Sequence, residues 1–355
     1  MSKVIYVAHG AISNSGDFLI FNRGWDLLKK FLSTDNIELV PVKRWEPITG
    51  QCDALIILGG PIISRSIHSQ SAYIKKYLEK NKVPVICLGV GISGKDYSAS
   101  EPFFADQESV DFWTAVYNSS QLLSVRDAYT REVLRNYNIP AVLTGCPALY
   151  DPEFISVEGT SNNFFEGDNH NLTITIPNIN IFSVSSLIRT LFFLYYIKSK
   201  FANSGRLLHR RVVFQHGFHS FGNNTVAKIA RLLDFETIDG SGKSINKITE
   251  ISDSDIHIGT RLHMNIFFLS RSRLSYLLSV DNRTDAFLNT ISTPSDSFTI
   301  GGIKRLVDEC YDDLTNNRLQ SKVASVRAQI MKLYPEMRDY LIQVKQFVNL
   351  EESNT

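Results

Sequence analysis

Residues 53–61 read Asp-Ala-Leu-Ile-Ile-Leu-Gly-Gly-Pro, an apolar run that ends in two glycines and a proline. A strand that is apolar at every position is typical of a parallel sheet with helices on both faces, where neither side of the strand meets water. Glycine and proline at its end indicate a tight turn. We therefore predict an α/β fold, in which ligands bind at the carboxyl ends of the strands.

The same alternation of strand and helix extends through the first half of the chain. Strands are predicted at Val4–Ala8 and Val83–Leu88, and helices at Gly24–Leu32, Ser71–Asn81 and Ala128–Tyr137. Apolar strands separated by amphipathic helices indicate a Rossmann-like unit, which we assign to residues 1–150.

A polar, weakly patterned stretch follows at 151–170, and we predict that it is a linker. The alternation then restarts and predicts a second Rossmann-like domain at 171–316. Its strands are predicted at Leu172–Ile176, Arg211–Gln215 and Ile256–Gly259, and its helices at Ser183–Lys200, Asn224–Leu233 and Leu262–Leu269. Residues 317–355 form a C-terminal helical segment that packs back, and Pro335 is expected to break or kink it. Two such domains are expected to face each other across a cleft.

Composition excludes several classes of protein. The 355 residues carry 37 Lys and Arg against 36 Asp and Glu, so a globally basic nucleic-acid-binding surface is not expected. Hydrophobic content of 43% is ordinary for a folded protein. The four cysteines form no CxxC pair, and the N-terminal segment lacks the features of a signal peptide, so a reducing, cytoplasmic location is the simpler expectation.

Residues 181–197 are strongly apolar and are followed by several lysines and arginines. Arg189 interrupts the run, which is also shorter than the roughly 20 apolar residues of a membrane span. We favour a packed helix of the second domain. The alternative left open is a helix that also touches the inner face of the plasma membrane, because a basic run attracts anionic lipid.

Gly89-Val-Gly91-Ile-Ser-Gly94-Lys95 matches two nucleotide-binding patterns, GxGxxG and GxxxxGK. Asp96 follows the lysine where a P-loop needs Ser or Thr, and the next residues are a poor helix start. We therefore favour a tight turn that brings backbone close to another group.

Two short motifs allow a structural and a functional interpretation. In the first, Asn14-Ser-Gly-Asp17, the structural interpretation is that Asn14 caps a helix and Asp17 lies in its first turn. The functional interpretation is that this loop contacts a substrate. In Ser124-Val-Arg126-Asp127, Asp127 is a candidate cap that leaves Arg126 either in the cleft or in a local ion pair.

Gly259-Thr-Arg261-Leu-His263 is the most suggestive motif, because it lies between a predicted strand and a predicted helix. Arg261 can bind a carboxylate or phosphate through two parallel hydrogen bonds, and His263 can exchange a proton near neutral pH. His216, at another strand end, is a weaker candidate. No His, Cys and Asp spacing indicates a metal site.

Together these motifs resemble the polysaccharide pyruvyl transferase family. They occur in order along most of the chain: Asn14–Asp17, Leu58–Gly60, Gly89–Gly91, Ser124–Asp127, Gly145–Leu149 and Gly259–His263. The chain departs from the family pattern in its short glycine cluster at residues 59–60 and in the basic segment 270–273.

The resemblance implies a GT-B-like fold and transfer of enolpyruvate from phosphoenolpyruvate to two sugar hydroxyls, which forms a ketal in exopolysaccharide, capsule or cell-wall glycan. It implies that Arg261, and less firmly Arg126, bind the donor, with His263 as the acid and Asp17 as a candidate base. The remaining expected contacts to substrate are Asn14, Gly16, Gly60, His216 and Leu262. No cofactor and no metal are expected, and the partners are phosphoenolpyruvate and a sugar or lipid-linked saccharide.

Two other functions fit the same patterns. A GT-B glycosyltransferase that uses a nucleotide sugar would have the same two domains, since a fold does not determine a reaction. A glycan-binding protein without catalytic activity is the second alternative.

Overall fold

The structure is a computed structural model of the whole chain. It describes residues 2–12, 14–33, 36–67, 69–93, 102–155, 170–179, 183–202, 207–242, 251 and 253–350. Most of the predicted linker and residues 94–95 of the glycine motif lie outside these ranges.

The first half of the chain builds a parallel sheet of seven strands, in the order β2-β1-β3-β5-β6-β7 with β4 paired to β5. The strands are β1 (Lys3–His9), β2 (Ile37–Lys43), β3 (Ala54–Leu58), β4 (Pro61–Ile63), β5 (Val85–Ile92), β6 (Leu123–Val125) and β7 (Val142–Leu143). The helices of this half are α1 (Ser15–Leu32), α2 (Ser69–Lys80), α3 (Gln107–Ser120), α4 (Ala128–Arg135) and α5 (Pro152–Ile155), with a 3₁₀ turn at Pro147–Leu149.

The quoted stretch forms β3, and all five of its residues are buried. Its side chains alternate between two cores: Ile56 and Leu58 pack with α1, whereas Leu55 and Ile57 pack in the core that contains Trp113 of α3. Both faces of the sheet are therefore covered, which is the physical reason that an uninterrupted apolar run forms this strand.

The second half builds a parallel sheet of six strands, in the order β10-β9-β8-β11-β12-β13. The strands are β8 (His170–Thr175), β9 (Leu207–Phe214), β10 (Glu236–Asp239), β11 (Ile256–Gly259), β12 (Leu274–Ser279) and β13 (Ser295–Ser297). The helices are α6 (Val184–Lys200), α7 (Phe221–Leu232), α8 (Leu262–Ser270), α9 (Asn282–Leu288), α10 (Ile300–Thr315) and α11 (Leu319–Leu350).

In each sheet the chain adds strands first on one side of the starting strand and then on the other, so the strand order reverses there. In the first sheet β1 lies between β2 and β3, and in the second β8 lies between β9 and β11. The carboxyl ends of the strands at such a reversal leave a crevice, which is where open α/β sheets bind ligands. The strands at the two reversals end at His9 and Leu58 in one sheet, and at Thr175 and Gly259 in the other. A ligand site is therefore expected next to these four residues.

Helix α11 packs against both halves. Leu319 and Val323 belong to the core of the second sheet, whereas the Tyr340 hydroxyl donates a hydrogen bond of 2.7 Å to the Cys87 carbonyl in β5 of the first. Of the two effects predicted for Pro335, a break or a kink, the break does not occur, because the helix continues through this residue. Buried side chains on both sides of it, Ile330 and Met337, hold the helix to one core.

Candidate functional site

The carboxyl ends of the two sheets enclose a cavity of about 260 Å³. Seven of the nine residues predicted for the site line it: Asn14, Asp17, Arg126, His216, Arg261, Leu262 and His263. The other two, Gly16 and Gly60, lie directly behind lining residues, against His263 and Arg44 respectively. Asn14 and His263, which are far apart in the chain, are therefore brought to one cavity by the packing of the two halves.

Helix α1 begins at the cavity. The Asn14 side-chain oxygen accepts a hydrogen bond of 2.9 Å from the Gly16 amide, so the predicted cap is present. The same oxygen accepts a bond of 2.7 Å from Nε2 of Gln215, which comes from the other half of the chain. Asn14 thus both begins the helix and joins the two walls of the cavity.

The Asp17 carboxyl follows in the first turn of α1 and lines the cavity. Burial raises its pKa, and the positive charges of Arg44, Arg283 and Arg126 only partly oppose that effect. A carboxylate with a raised pKa is a better proton acceptor than an exposed one.

The His263 imidazole packs against Gly16. A Cβ atom at Gly16 would lie only 2.3 Å from its Nδ1, so any larger residue there would displace the ring. The pKa of His263 is lowered to about 3, first by burial and then by the charges of three cavity arginines. Without a bound anion the ring is therefore neutral at pH 7.

Arg261 lies at the amino end of α8, at the position that caps the helix. Its Nε donates a hydrogen bond of 2.9 Å to the Ile176 carbonyl, which follows β8, and so the guanidinium is fixed to the neighbouring strand end. Burial, together with the charge of Arg283, lowers its pKa to about 10, so it stays charged at neutral pH. Both features suit a binding site for a carboxylate or phosphate.

Arg44 is a site residue that the sequence reasoning missed. It follows β2, is only 2% exposed, and donates a hydrogen bond of 2.8 Å from Nη1 to the Gly59 carbonyl. Gly10 and Gly60 leave the space that it fills, since a Cβ at either position would lie within 2.5 Å of its Nη2. Its buried Nε has no hydrogen-bond partner among the described residues, and its pKa is lowered to about 10 by burial.

Arg126 occupies a second space left by a glycine. A Cβ at Gly91 would lie 2.2 Å from its Nε, so the backbone does come close to another group here. The predicted turn at Gly89–Gly91 is wrong, however, because both glycines belong to strand β5, which continues to Ile92. Its Nε forms an ion pair of 3.1 Å with Asp127, and Asp127 also caps α4 by accepting a bond of 2.7 Å from the Thr130 amide. Arg126 therefore pairs locally and lines the cavity at the same time.

Arg283 and Asp281 were also missed by the sequence reasoning. They lie at the start of α9, where the Asp281 carboxylate accepts hydrogen bonds from the Arg283 side chain, the shortest at 2.6 Å from Nη2. Burial opposes ionisation of Asp281, but these bonds and the charge of Arg283 outweigh it and lower the pKa of that carboxyl. Both residues line the cavity.

The lining contains four arginines and two aspartates, so the cavity carries a net positive charge. The Thr260 hydroxyl also belongs to the lining, is 3% exposed and has no hydrogen-bond partner in the described part of the chain. A buried polar atom without a partner is costly unless a ligand or water satisfies it. The arrangement is therefore suited to a small ligand with more than one negative charge.

In the described ranges, no three His, Cys, Asp or Glu residues are grouped so that they could hold a metal ion. The four cysteines are free and buried. No described helix is long and apolar enough to cross a membrane.

A larger groove of about 520 Å³ lies between α2 and α3. Its walls include Leu78, Phe112 and Val116, and Lys75 on its rim is paired to Glu79 and Glu108. Lys75 is thus already satisfied by two carboxylates, and the groove lacks the excess of positive charge found in the cavity at the strand ends.

The fold and the cleft define a class: this is a two-domain α/β protein of GT-B type, as predicted. The S. aureus MnaA protein, in a co-structure with UDP, superimposes over 98% of this chain and 97% of its own at a TM-score of 0.61 and 14% identity. The Neisseria meningitidis UDP-GlcNAc 2-epimerase superimposes over 98% of this chain and 100% of its own, at a TM-score of 0.60 and 10% identity. A glycosyltransferase from Rickettsia africae superimposes over 98% of this chain and 99% of its own, at a TM-score of 0.56 and 9% identity.

At these identities the likeness shows the fold alone. The family is shown by sequence: the family model for polysaccharide pyruvyl transferase matches residues 13–270. The chain belongs to the polysaccharide pyruvyl transferase family, as its motifs predicted, and a polysaccharide-modifying role follows from that membership. Among proteins of curated function, none matches the sequence closely.

Proposed function

We propose that this protein transfers enolpyruvate from phosphoenolpyruvate to two hydroxyls of a sugar and so forms a pyruvate ketal. The observation that supports this most is the convergence of four arginines on a small cavity that also holds His263 and Asp17. The donor carries a carboxylate and a phosphate close together, and guanidinium groups bind both with paired hydrogen bonds.

The arginines divide into two groups by their surroundings. Arg44 and Arg126 are held by the first sheet and are almost fully buried, whereas Arg261 and Arg283 come from the second sheet and are more exposed. We assign donor binding to this set, with Arg261 as the central residue because its Nε is already fixed by the Ile176 carbonyl. The free Nε of Arg44 and the Thr260 hydroxyl would gain partners from the bound anion.

The proposed reaction has two stages. In the first, His263 gives a proton to the methylene carbon, C2 becomes electrophilic, and a sugar hydroxyl adds to C2 while its proton passes to Asp17. In the second, the C–O bond to phosphate breaks, and the second hydroxyl adds to C2. Its proton leaves with the phosphate, and the proton held by Asp17 returns through solvent to His263. One donor and one diol therefore give one ketal and one inorganic phosphate, and the enzyme is restored.

The electrostatics of the cavity suit this sequence of events. His263 is neutral in the unliganded protein because burial, and in addition the charges of the cavity arginines, lower its pKa to about 3. Anion binding neutralises those charges, raises the pKa of the imidazole and lets it carry the proton that the methylene needs. Donor binding and acid activation would therefore be coupled through the same arginines.

The acceptor in this scheme is a sugar, free or lipid-linked, that enters from the side of Asp17 and Asn14. A nucleotide sugar is the rival donor, favoured by the fold it shares with the UDP-bound S. aureus MnaA structure. The rival predicts that a uridine nucleotide binds better than phosphoenolpyruvate.

The test compares ligands and then products. Thermal unfolding is measured with phosphoenolpyruvate and with a panel of nucleotide sugars, since a ligand that binds the native state raises the midpoint. The protein is then incubated with phosphoenolpyruvate and candidate lipid-linked saccharides, and a pyruvyl mass increment and released phosphate are measured.

Arg261→Lys is the matched probe, because it keeps the charge and loses the paired geometry. We expect it to raise the donor KM by at least ~10-fold. Arg305→Lys is the control, since Arg305 is exposed and pairs with Asp296 away from the cavity. Stabilisation by a nucleotide sugar alone, with no phosphate release from phosphoenolpyruvate, would overturn the proposal.

A further inference from the structure

Exposed apolar side chains are concentrated on two neighbouring helices of the second domain. Of the ten large hydrophobic residues exposed on the described surface, five lie on α6 and α7: Val184, Ile188, Tyr195, Phe221 and Leu232. Phe221 is 71% exposed and Leu232 is 83% exposed. Single exposed apolar residues are ordinary, but a group of five on adjacent helices marks an interaction surface.

The five residues form two stripes. On α6, Val184, Ile188 and Tyr195 are spaced by four and seven residues, which places them on one side of the helix. On α7, Phe221 and Leu232 are separated by about three helical turns, so they also share a side. The two helices pack against each other. We call these five residues the apolar face.

The two helices that carry the apolar face have only positively charged side chains. Helices α6 and α7 contain five basic residues and no Asp or Glu: Arg189, Lys198, Lys200, Lys228 and Arg231. The whole chain, by contrast, is nearly neutral. Lys228 lies between Phe221 and Leu232 on the exposed side of α7.

Acidic residues bound this region from the neighbouring elements. Asp234 pairs with Lys198 at 2.5 Å, and Asp308 of α10 pairs with Lys200 at 2.6 Å. The acids therefore lie at the carboxyl ends of α6 and α7. The amino ends, with Val184, Ile188 and Phe221, are the parts of the apolar face farthest from these acids along the helices.

These amino ends lie beside the cleft. Helix α7 starts a few residues after His216, which lines the cavity, and its Gly222 packs against Ile179, which follows β8. Helices in a parallel sheet run opposite to the strands, so both α6 and α7 begin at the same edge as the cavity.

We propose that the apolar face docks on the surface of an anionic bilayer, with the side chains at its amino end in the headgroup region and the exposed Lys228 facing lipid phosphates. Apolar burial combined with cationic attraction is the combination that holds peripheral proteins on such membranes. No described helix could span the bilayer, so the contact is at the surface. The proposal does not depend on the donor or the reaction.

The test uses sedimentation of the full chain with vesicles. We expect binding to mixed phosphatidylglycerol and phosphatidylcholine vesicles, little binding to pure phosphatidylcholine, and weakening at high salt. The double variant Ile188→Asp and Phe221→Asp should lower the partition coefficient at least ~10-fold, and Lys228→Glu should lower it by less. Ile342→Asp is the matched control, since Ile342 is an exposed apolar residue on α11.

Both residues of the double variant are exposed, so its unfolding midpoint should equal that of the wild type. Unchanged vesicle binding in the double variant would overturn the proposal. A stable dimer in analytical ultracentrifugation that the same two substitutions dissociate would also overturn it, because a second copy would then cover the face. Vesicle binding without pyruvyl transfer would leave this inference standing while removing the proposed function.

Discussion

His257 and His263 lie on the same strand–turn–helix segment, and each has its pKa lowered to about 3. The causes differ. His257 is in the middle of β11, fully buried, with its ring nitrogens 2.8 Å from the Thr175 hydroxyl and 2.6 Å from the Ser275 hydroxyl. Burial alone accounts for its lowered pKa, whereas arginine charges add to burial at His263.

The comparison separates a histidine whose surroundings a ligand cannot change from one whose surroundings a bound anion would change. The pKa of His257 is lowered by burial in the sheet core, and a ligand cannot remove that burial. His257 therefore stays neutral in the folded protein under all ordinary conditions. The charges that act on His263 belong to a binding cavity, and an anion there would cancel them. The same lowered pKa is thus a structural property at one histidine and a candidate control of reactivity at the other.

Removal of the imidazole should separate the two histidines most strongly. His263→Gln is expected to lower kcat roughly 10²–10⁴-fold, because a general acid contributes about that much. His257→Asn should leave kcat near the wild-type value and lower stability instead. Initial rates of phosphate release and thermal unfolding of both variants test this pair. Near-normal turnover by His263→Gln would remove this residue from the mechanism.

The Asp17 carboxyl, which also lines the cavity, gives the next effect in size. Asp17→Asn removes the candidate base and should lower kcat on the order of 10²-fold while the donor KM changes little. Asp26→Asn, on an exposed side of the same helix, is the control. Full activity of Asp17→Asn would show that another group accepts the hydroxyl proton.

The buried Arg44 tests whether the cationic cavity is an organised donor site. Arg44→Lys loses the bond to Gly59 and the planar group that fits between Gly10 and Gly60. We expect the donor KM to rise ~10–100-fold, since a hydrogen bond to a charged group is worth about 1.5–3 kcal/mol. Steady-state kinetics at varied donor concentration measure it. A KM equal to that of the control Arg305→Lys would place Arg44 outside donor binding.

Acid stability tests the fixed environment of His257. Its pKa is near 6.5 when unfolded and about 3 when folded, so the unfolded state binds more protons between these values. Stability therefore falls as pH decreases through this window, by up to ~1.4 kcal/mol per pH unit from this residue. Urea unfolding at several pH values should give a flatter dependence for His257→Asn. An unchanged slope would mean that His257 does not titrate as described.

The smallest expected effect is proton uptake on donor binding. If the anion raises the pKa of His263 toward neutrality, binding near pH 7 should take up a fraction of a proton, at most about one. Calorimetry in buffers of different ionisation enthalpy measures this number. His263→Gln should reduce the uptake and His257→Asn should retain it. Equal uptake in both variants would assign the proton to another group, with Asp17 the first candidate.

The parts of the fold that sequence predicted are those in which local pattern and tertiary environment agree. The buried strands β1, β3 and β5 are apolar throughout, and Asn14 and Asp127 cap helices as their residue types indicate. The motif at residues 259–263 is visible in the sequence because an arginine and a histidine follow an apolar strand directly.

The missed residues follow elements with weak patterns. Strand β2 is half exposed and contains Pro41, which suits an edge strand and gives no apolar run. Arg44 comes directly after it, so a missed strand led to a missed site residue. Arg283 depends on the short helix α9, and its place in the cavity is set by the position of the second sheet against the first. No local pattern encodes that distance.

The three glycines that border Arg44 and Arg126 have a consequence for protein engineering. Gly10, Gly60 and Gly91 have no room for even a methyl group unless a guanidinium moves. Gly301, by contrast, has only the flexible end of Arg305 nearby, at 3.4 Å. A saturation scan should therefore find the first three intolerant and Gly301 permissive. Grafting this anion site onto another α/β scaffold would require copying the glycines together with the arginines, because the missing side chains provide the volume that the cations occupy.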